Sequence, residues 1–216
     1  MKIALTGGIA CGKSTFAKFL RELGIRLLDA DDVVHALEGV QGEAVPALVA
    51  RFGTEILDAA GGVDRRKLAA TVFTSAGAEA ARRDLEGILF PLVRSRLQAF
   101  VAEGEACGEI RMAVIPLLFE SHFDGDYDTI VCISSPKEVQ VDRMIRTRGY
   151  SRDEAEARLA AQMPVAEKIE RAHFSVVNDS TPAHLQTEAV RLLAWLKERE
   201  KNEYRRNRDD AGVLVP

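Results

Sequence analysis

The sequence predicts an α/β protein in which a five-stranded parallel β-sheet is flanked by helices. Five short apolar segments are typical of buried strands, and stretches with helical periodicity separate them along the chain. Such alternation favours a parallel sheet, because each connecting helix crosses over the sheet and covers one face. A second observation agrees with this class: the glycine-rich stretch GGIACGKS directly follows the first strand.

Composition and charge limit the possible functions. The 216 residues are 47% hydrophobic and 29% charged, which is typical of an ordinary globular protein. A net charge of −4 provides no basic field for collecting phosphates, so we expect no nucleic-acid partner. Three cysteines without paired spacing indicate neither disulfides nor a zinc site. The sequence has no signal peptide and no apolar run long enough to span a bilayer, which predicts a cytoplasmic protein without a membrane partner.

The N-terminal elements are predicted to form a strand–helix–strand unit. Lys2–Thr6 is a short apolar strand, apolar positions after Ser14 recur at helical spacing, and Gly24 offers a stop for that helix. A second strand, Ile25–Leu28, runs into Asp29-Ala30-Asp31. A right-handed crossover is expected for such a unit.

A helical insertion is predicted over residues 42–108, which contain helical patterns and no clear strand. Asp64 is predicted to cap one of its helices. A longer amphipathic stretch follows, and Pro91 is expected to kink or split it, because an interior proline costs about 3 kcal/mol.

Strands return in the second half of the chain, at Met112–Ile115, Thr129–Ile133 and Phe174–Val177. Capping boxes are predicted before two helices, one formed by Ser135 with Glu138 and one by Ser151 with Glu154. The chain from Lys197 onward is charged and is predicted to fray. The predicted organisation is a core (1–41, 109–135 and 173–196), the helical domain (42–108), a helix-turn-helix region with flanking helices (136–172) and a tail (197–216).

The glycine-rich stretch contains the P-loop pattern G-x-x-x-x-G-K-[ST], formed by Gly7, Gly12, Lys13 and Ser14. Glycines let the backbone curl so that its N–H groups point at phosphate oxygens, and the following helix adds its positive end. Lys13 supplies a charge for the β- and γ-phosphates, and the Ser14 hydroxyl can bind Mg²⁺. We expect the backbone, and not the lysine side chain, to hold the loop. The pattern predicts the P-loop nucleoside triphosphate hydrolase fold with a nucleotide-binding core.

A P-loop does not identify the reaction, and three classes remain. A regulatory GTPase would normally carry Asn-Lys-x-Asp, which the sequence lacks. A motor or transport ATPase usually has four hydrophobic residues before an acid, to which Leu27-Leu28-Asp29 is a short approximation. A small-molecule kinase needs an acceptor site, a base beside it and an arginine-rich lid.

The base candidate is one of the two acids in Asp29-Ala30-Asp31, where the second strand ends at the sheet edge that also carries the P-loop. The alternative is that Asp31 or Asp32 only caps the next helix. The two acids Asp29 and Asp31 are spaced by one residue and so point in different directions, which lets one of them face the acceptor.

The lid candidate is the arginine-rich helix-turn-helix region, which contains Arg143, Arg146 and Arg148. Cations that arrive on closure would stabilise charge on a transferring phosphoryl group and exclude water. The alternative is a solvated basic face without a catalytic role.

Several motifs together resemble the dephospho-CoA kinase family, from Lys2 to about Leu196. They are Leu5-Thr6-Gly7-Gly8-Ile9 with the P-loop, Leu28-Asp29-Ala30-Asp31, Gly62 to Leu68 with Val72-Phe73, Pro116-Leu117-Leu118-Phe119-Glu120, Gln140-Val141-Asp142-Arg143, and Glu154 to Lys168. The resemblance implies that ATP, with Mg²⁺, gives its γ-phosphate to the ribose 3′-hydroxyl of dephospho-CoA. We expect a monomer or weak homo-oligomer. Another small-molecule or nucleoside monophosphate kinase is the alternative, and a non-kinase nucleotide switch is a further one.

The resemblance also implies the residues of the site. Asp31, Lys13 and Arg143 would be catalytic, with Asp31 as the base and Arg143 in the lid. ATP would be bound by Gly8, Ala10, Cys11, Gly12, Lys13, Ser14, Thr15, Arg143 and Asn178. The acceptor would be bound by Asp31, His35, Arg65, Pro116, Leu117, Leu118 and Glu120, and Mg²⁺ by Ser14 and Asp29. For His35, an ordinary surface position on its helix is equally compatible with the sequence.

The sequence departs from the family pattern at three places. Phe90 stands where the family commonly has a histidine, so a polar role is absent there. Thr147 stands where the second lid arginine usually falls, and either flanking arginine is a candidate to replace it. Cys11 within the P-loop is unusual: the helix N-terminus could acidify its thiol, or it is an inert small side chain.

Overall fold

A computed structural model of the chain describes the backbone of residues 1–73 and 77–210 and the side chains of residues 1–73 and 77–202. Two compact units divide the chain: Met1–Leu27 together with the chain from Gly104 onward, and Leu28–Glu103. The functional division into a core, a helical domain over residues 42–108 and a lid stays a prediction.

The elements within the described residues are numbered here in chain order. The strands are β1 (Ile3–Gly7), β2 (Arg26–Asp29), β3 (Arg111–Val114), β4 (Thr129–Ser134) and β5 (Phe174–Val177). The helices are α1 (Lys13–Glu22), α2 (Ala30–Glu38), α3 (Val45–Phe52), α4 (Arg65–Phe73), α5 (Ala78–Cys107), α6 (Lys137–Arg148), α7 (Arg152–Ala160), α8 (Val165–Glu170) and α9 (Pro182–Asp210). Within these residues, no helix has both the length and the apolar character needed to cross a bilayer.

The strands form one sheet in the order β2-β3-β1-β4-β5. The central strand β1 pairs in parallel with both neighbours, where Leu5 lies opposite Val114 of β3 and Val131 of β4. β4 and β5 are also parallel. The predicted five-stranded parallel sheet flanked by helices is confirmed. Because parallel strands end at the same edge of a sheet, the segments that follow β1, β3, β4 and β5 lie at one edge.

The core of the first unit consists of the sheet with α1 and α9 packed against it. The buried side chains are Phe16 and Leu20 of α1, Leu185, Ala189, Leu192 and Leu196 of α9, and the apolar residues of the strands. Their spacing within each helix is that of a single helix face. Each large side chain contributes about 1.5–3 kcal/mol through burial, so this core fixes the point at which β1 ends and the P-loop begins.

Helices make up the second unit, as the helical patterns predict. Asp64 caps α4 as predicted, because its Oδ1 accepts from Arg66 N at 2.9 Å. The helix α5 continues through Pro91, so of the two predicted effects of the proline the split is wrong and the kink stays a prediction. Leu89, Val93 and Leu97 of α5 are buried. Three such side chains at about 1.5–3 kcal/mol each outweigh a proline penalty of about 3 kcal/mol.

The two predicted capping boxes have different outcomes. Ser151 and Glu154 form one before α7, with Ser151 Oγ 3.2 Å from Glu154 N and Glu154 Oε2 2.8 Å from Ser151 N. The Ser135 box is wrong, because Pro136 occupies the cap position of α6 without a side-chain hydrogen bond. The Ser135 hydroxyl instead donates to Asn178 O at 2.6 Å, a partner that follows β5.

The final helix is longer than the sequence patterns predict. α9 continues through Asp210, so residues 197–210 form helix where fraying is predicted. No glycine or proline lies between Pro182 and Asp210, and the segment is rich in residues that favour helix. The last part of the predicted tail, residues 211–216, lies outside the described residues.

Candidate active site

Both fixed glycines of the P-loop are required by its geometry. A Cβ at Gly7 would lie 2.2 Å from Ile133 O of the neighbouring strand. A Cβ at Gly12 would lie 2.1 Å from Asn178 Nδ2, and Gly12 has a left-handed backbone with φ of 88°. Ala10 between them is also left-handed, with φ of 56°. Left-handed residues within a turn direct successive backbone N–H groups to one side, which forms an anion-binding concavity.

Lys13, the first residue of α1, contacts the loop itself. Its Nζ donates to Gly7 O at 2.8 Å and to Gly8 O at 3.5 Å. The expectation that the backbone alone holds the loop is therefore wrong. Ser14 and Thr15 follow in the first turn of α1 and are exposed. Backbone N–H groups in a first helical turn lack intrahelical partners, so this turn adds donors and a positive dipole end for an anion.

Arg143 of α6 holds backbone carbonyls that surround the P-loop. Its Nη1 donates to Ala10 O at 3.2 Å and Ser135 Oγ at 2.9 Å, and its Nη2 donates to Asn178 O at 3.2 Å. Asn178 is buried, and its Nδ2 donates to Cys11 O at 2.9 Å. These contacts fix the carbonyl groups of Ala10, Cys11 and Asn178. The roles of Arg143 and Asn178 in ATP binding stay predictions.

The helix-turn-helix region packs against the P-loop through its own small core. Val141, Met144 and Ala155 are buried there, and Ile9 and Ala10 of the loop pack against them. Gln140 Nε2 donates to Ile9 O at 2.6 Å, and Ile9 N donates to Gln162 Oε1 at 3.3 Å. Both glutamines lie within motifs that carry the family resemblance, but their spacing does not predict the contact with Ile9, because Ile9 lies more than a hundred residues away.

The two candidates for a second lid arginine lie on the exposed end of α6. Arg146 and Arg148 are both exposed, and Arg146 Nε donates to Asp142 O of its own helix at 3.4 Å. Thr147 Oγ1 donates to Arg143 O at 2.7 Å, which satisfies its hydroxyl within the helix. The assignment of the second lid arginine stays a prediction.

The segment Pro116–Glu120 follows β3. We call it the acceptor loop because it is predicted to bind the acceptor, and that role stays a prediction. Leu118 is buried, whereas Leu117 is 42% exposed. Pro116 O accepts a hydrogen bond from Thr6 Oγ1 of β1 at 3.3 Å. The loop is thereby attached to the strand that leads into the P-loop.

In the second unit, Asp29 is the residue that caps α2. Its Oδ1 accepts from Asp31 N at 2.9 Å. Asp31 and Asp32, both predicted as alternative caps, are instead exposed residues in the first turn. The alternative in which Asp31 or Asp32 only caps the helix is therefore wrong, and the role of Asp31 as base stays a prediction.

The same unit brings His35 and Arg65 together. Arg65 Nε donates to Glu38 Oε2 at 2.8 Å, and Arg65 Nη1 contacts His35 Nε2. A guanidinium can only donate, so Nε2 of His35 is the acceptor. The Glu38 side chain is 6% exposed and that of Arg65 is 47% exposed. The pattern of the sequence gives no signal for Glu38, which fixes the guanidinium while leaving part of it accessible.

The thiol of Cys11 is not acidified in this structure. Burial raises its pKa, although Lys13, the Ser135 and Gly8 contacts and Arg143 each oppose that change. Burial also raises the pKa of the Cys132 thiol to about 12. Cys107 at the end of α5 is exposed. Because the thiolate is the reactive form, the interpretation of Cys11 as an inert side chain is favoured.

We expect a thiol reagent to modify the native protein at Cys107 alone on a time scale of minutes. The buried thiols of Cys11 and Cys132 remain protonated up to alkaline pH, so they should react only after denaturation. Timed labelling followed by peptide mapping checks this expectation. In the control with denaturant, the reagent should modify all three cysteines. Rapid modification of native Cys11 at neutral pH would contradict the result.

The donor groups fit Mg²⁺ bound largely through a substrate. Among the described residues, no group of three or more His, Cys, Asp or Glu side chains is arranged to hold a metal ion. Mg²⁺ usually keeps several waters and takes one or two protein oxygens together with phosphates. The Ser14 hydroxyl in the first turn of α1 and the Asp29 carboxylate at the end of β2 are oxygen donors of that kind. Their role as ligands stays a prediction.

A parallel sheet whose central strand runs into a glycine loop, followed by a helix that begins Lys-Ser-Thr, defines a P-loop nucleotide-binding protein. The sequence profile described as dephospho-CoA kinase matches residues 1–184. A dephospho-CoA kinase of Anaeromyxobacter dehalogenans is 42% identical over 196 residues, which are 90% of this chain and 92% of that protein. The chain belongs to the dephospho-CoA kinase family.

Solved structures agree with this assignment. The crystal structure of TT1252 from Thermus thermophilus has a TM-score of 0.74 and 32% identity, and the match covers 91% of this chain and 97% of the other. Dephospho-CoA kinase from Campylobacter jejuni has a TM-score of 0.72 and 26% identity, with 93% of this chain and all (100%) of the other covered. The fold is thus that of the P-loop kinases.

Proposed function

We propose that this chain transfers the γ-phosphoryl group of ATP to the ribose 3′-hydroxyl of dephospho-CoA, giving coenzyme A and ADP. The observation that supports this most directly is the family match over residues 1–184, which includes the P-loop. In the reaction, the hydroxyl oxygen bonds to the γ-phosphorus while the bridging bond to the β-phosphate breaks. The hydroxyl proton passes to a base, and ADP carries away the electron pair of the broken bond.

Residues of the P-loop bind the ATP phosphates in this proposal. Backbone N–H groups of the P-loop and the first turn of α1, other than that of Ile9, which donates to Gln162, surround the phosphate oxygens. The left-handed Ala10 and Gly12 direct them inward. The Lys13 ammonium exchanges its contact with Gly7 O for phosphate oxygens, which carry full negative charge. Ser14 and Asp29 would hold Mg²⁺, which neutralises charge on the β- and γ-phosphates when bound.

A second set of residues, outside the P-loop, binds dephospho-CoA and removes the proton of its 3′-hydroxyl in this proposal. Asp31 orients the 3′-hydroxyl and takes its proton as the new bond forms. Arg65, fixed by Glu38 and contacted by His35, offers its accessible donors to the phosphates of dephospho-CoA. The exposed Leu117 of the acceptor loop offers apolar contact.

The activity can be tested by measuring ADP release with dephospho-CoA and, separately, with nucleosides and nucleoside monophosphates. We expect turnover with dephospho-CoA and formation of coenzyme A, which mass spectrometry identifies. Turnover with a nucleoside monophosphate alone would indicate a nucleotide kinase instead. ATP hydrolysis that is indifferent to every acceptor would indicate that the chain is not a kinase.

We expect Arg143→Ala to lower kcat/KM for ATP by about 10²-fold, the lower end of the effect of removing one charged donor. Its guanidinium would act on the transferring phosphoryl group, and in this structure it also holds Ala10 O and Asn178 O. Steady-state kinetics with each substrate varied in turn measures both effects. Arg146→Ala and Arg148→Ala are the comparison: the one with the larger fall in kcat serves as the second lid arginine. Wild-type kcat in all three variants would exclude a catalytic lid here.

The enzyme is proposed to be cytoplasmic and to be a monomer or a weak homo-oligomer. Three cysteines without disulfides support a reducing compartment. Sedimentation at several protein concentrations would test the oligomeric state, and a single mass independent of concentration is expected for the monomer.

A further inference from the structure

A lysine without solvent exposure lies on α8. The Lys168 side chain is 0% exposed, and its Nζ is 2.7 Å from Glu120 Oε1. The same Nζ donates to Pro116 O at 3.4 Å. Lysine is almost never fully buried unless it is paired, because removing an ammonium group from water is costly. Its two partners are the first and the last residue of the acceptor loop.

Glu120 is occupied by protein contacts. Oε1 accepts from Lys168 Nζ and also from Met163 N, at 3.0 Å. Oε2 is buried and has no hydrogen-bond partner among the described residues. The Glu120 side chain is 23% exposed, but its Oε1 already accepts two hydrogen bonds and its Oε2 is buried. This geometry favours a role for Glu120 within the protein over direct contact with the acceptor.

The carbonyl of Pro116 is held from two sides. Thr6 Oγ1 donates to it from β1, one residue before Gly7, and Lys168 donates from α8. The adjoining residue Ile115 is attached to the same strand, since its N donates to Leu5 O at 2.8 Å. The start of the acceptor loop therefore has a fixed position relative to the strand that leads into the P-loop.

We propose that the buried Lys168 and its ion-pair partner Glu120 are positioning residues that set the conformation of the acceptor loop for dephospho-CoA. The inference rests on the proposed function, in which this loop contacts the acceptor. One ammonium group ties both ends of the loop, so Leu117 between them is presented at a fixed place. General stability explains the pair less well, because replacing a buried ion pair with apolar residues is often neutral or stabilising.

The first test is Lys168→Met, which keeps much of the side chain's volume and removes the ammonium. We expect KM for dephospho-CoA to rise about tenfold or more, with KM for ATP within about twofold of wild type. ATP binding is spared because Gln140, Arg143 and Asn178 hold the P-loop independently. Lys168→Arg keeps the charge and should recover part of the loss.

Lys168→Met leaves the partly buried carboxylate of Glu120 without its cation and so is prone to misfold. The double variant Lys168→Met with Glu120→Gln removes both charges, while glutamine still accepts from Met163 N. We expect it to fold with a melting temperature near that of wild type but to retain the raised KM for dephospho-CoA. A wild-type KM in the folded double variant would overturn the proposal, since the pair would then act through stability alone.

Arg171→Met is the matched control. Arg171 lies one turn beyond Lys168, with its guanidinium 4.3 Å from the Phe119 ring and 2.6 Å from Asp124 Oδ2. Arg171 packs on the same loop, but among the described residues its side chain makes no hydrogen bond or ion pair with Pro116 or Glu120. We therefore expect its variant to have a KM for dephospho-CoA close to that of wild type. An equal rise in this control would overturn the proposal, because any loosening near the loop would then suffice.

Hydrogen exchange in the absence of substrate separates this inference from the proposed function. The amides of Ser121 and Phe123 donate to Leu117 O and Leu118 O, at 2.9 and 3.0 Å. We expect faster exchange at both amides in Lys168→Met and in the double variant, but not in Arg171→Met. Unchanged exchange would overturn the positioning role even if the wild-type enzyme phosphorylates dephospho-CoA. Failure of the wild-type enzyme to do so would overturn the proposed function alone.

Discussion

Replacing Asp31 with asparagine is expected to lower kcat by about 10²–10⁴-fold, the usual contribution of a general base. A ribose hydroxyl is a poor nucleophile while it keeps its proton, and asparagine cannot accept that proton although it matches aspartate in size. Asp31 is exposed in the first turn of α2, so the substitution should leave the fold intact. A dissociative transition state asks less of the base and would shift the loss towards the lower end. Rapid-quench measurement of the chemical step, with ATP affinity determined separately, tests this expectation.

Asp29→Asn is the matched control for that measurement. Asp29 Oδ1 caps α2 by accepting from Asp31 N, and asparagine is an equally good N-cap. We therefore expect the variant to fold normally and to need more Mg²⁺ for half-maximal activity. If Asp31→Asn turns over within a few-fold of wild type, or if Asp29→Asn loses activity without a change in metal dependence, then Asp31 is not the base.

Lys13→Ala is expected to lower kcat/KM by at least about 10²–10³-fold, the effect of removing one donor to charge that develops in the transition state. The lysine is predicted to be the cation of the P-loop that contacts the ATP phosphates, whose oxygens carry the charge that it would stabilise. Steady-state kinetics and equilibrium ATP binding together measure the loss. Near wild-type turnover would contradict the assigned role.

Lys13→Ala is also expected to lower the stability of the protein. Because Nζ donates to Gly7 O at 2.8 Å, alanine also removes a hydrogen bond that holds the empty loop. A net hydrogen-bond contribution of about 0.5–1.5 kcal/mol should lower the melting temperature by a few degrees. Lys18→Ala, on the exposed side of α1, is the control for losing a lysine from this helix. It should keep wild-type activity and stability.

The capping box of α7 is expected to make the stability of the folded protein depend on pH, with stability falling at acid pH. Hydrogen bonds from the Ser151 backbone and side chain lower the pKa of Glu154. A lowered pKa in the folded state means that the unfolded state binds the proton more tightly. The stabilisation is therefore complete above the unfolded value of about 4.3 and is lost as the pH falls through the folded value. A thermal melt series compared with Glu154→Gln should show the difference between the proteins disappear at acid pH.

Local sequence patterns by themselves determined the parallel sheet, the P-loop turn and one helix cap of this protein. The alternation of apolar strands with helices determined the parallel sheet, because each strand and crossover is encoded over only a few neighbouring residues. The P-loop glycines could be predicted for the same reason, since Gly12 and the turn around it depend on backbone conformation. The Ser151 cap is equally local, as its partner lies three residues away.

Tertiary structure alone decided which polar side chains hold the site. Ser135 satisfied its hydroxyl on Asn178, 43 residues away, and so did not cap α6. Gln140 and Ile9 are 131 residues apart, and Lys168 and Pro116 are 52 residues apart. A buried polar group must find a hydrogen-bond partner wherever the fold provides one, because leaving it unsatisfied costs about 1–3 kcal/mol. Sequence spacing identifies hydrogen-bond partners one helical turn away. It does not predict which distant strand ends and helices become neighbours once the core is packed.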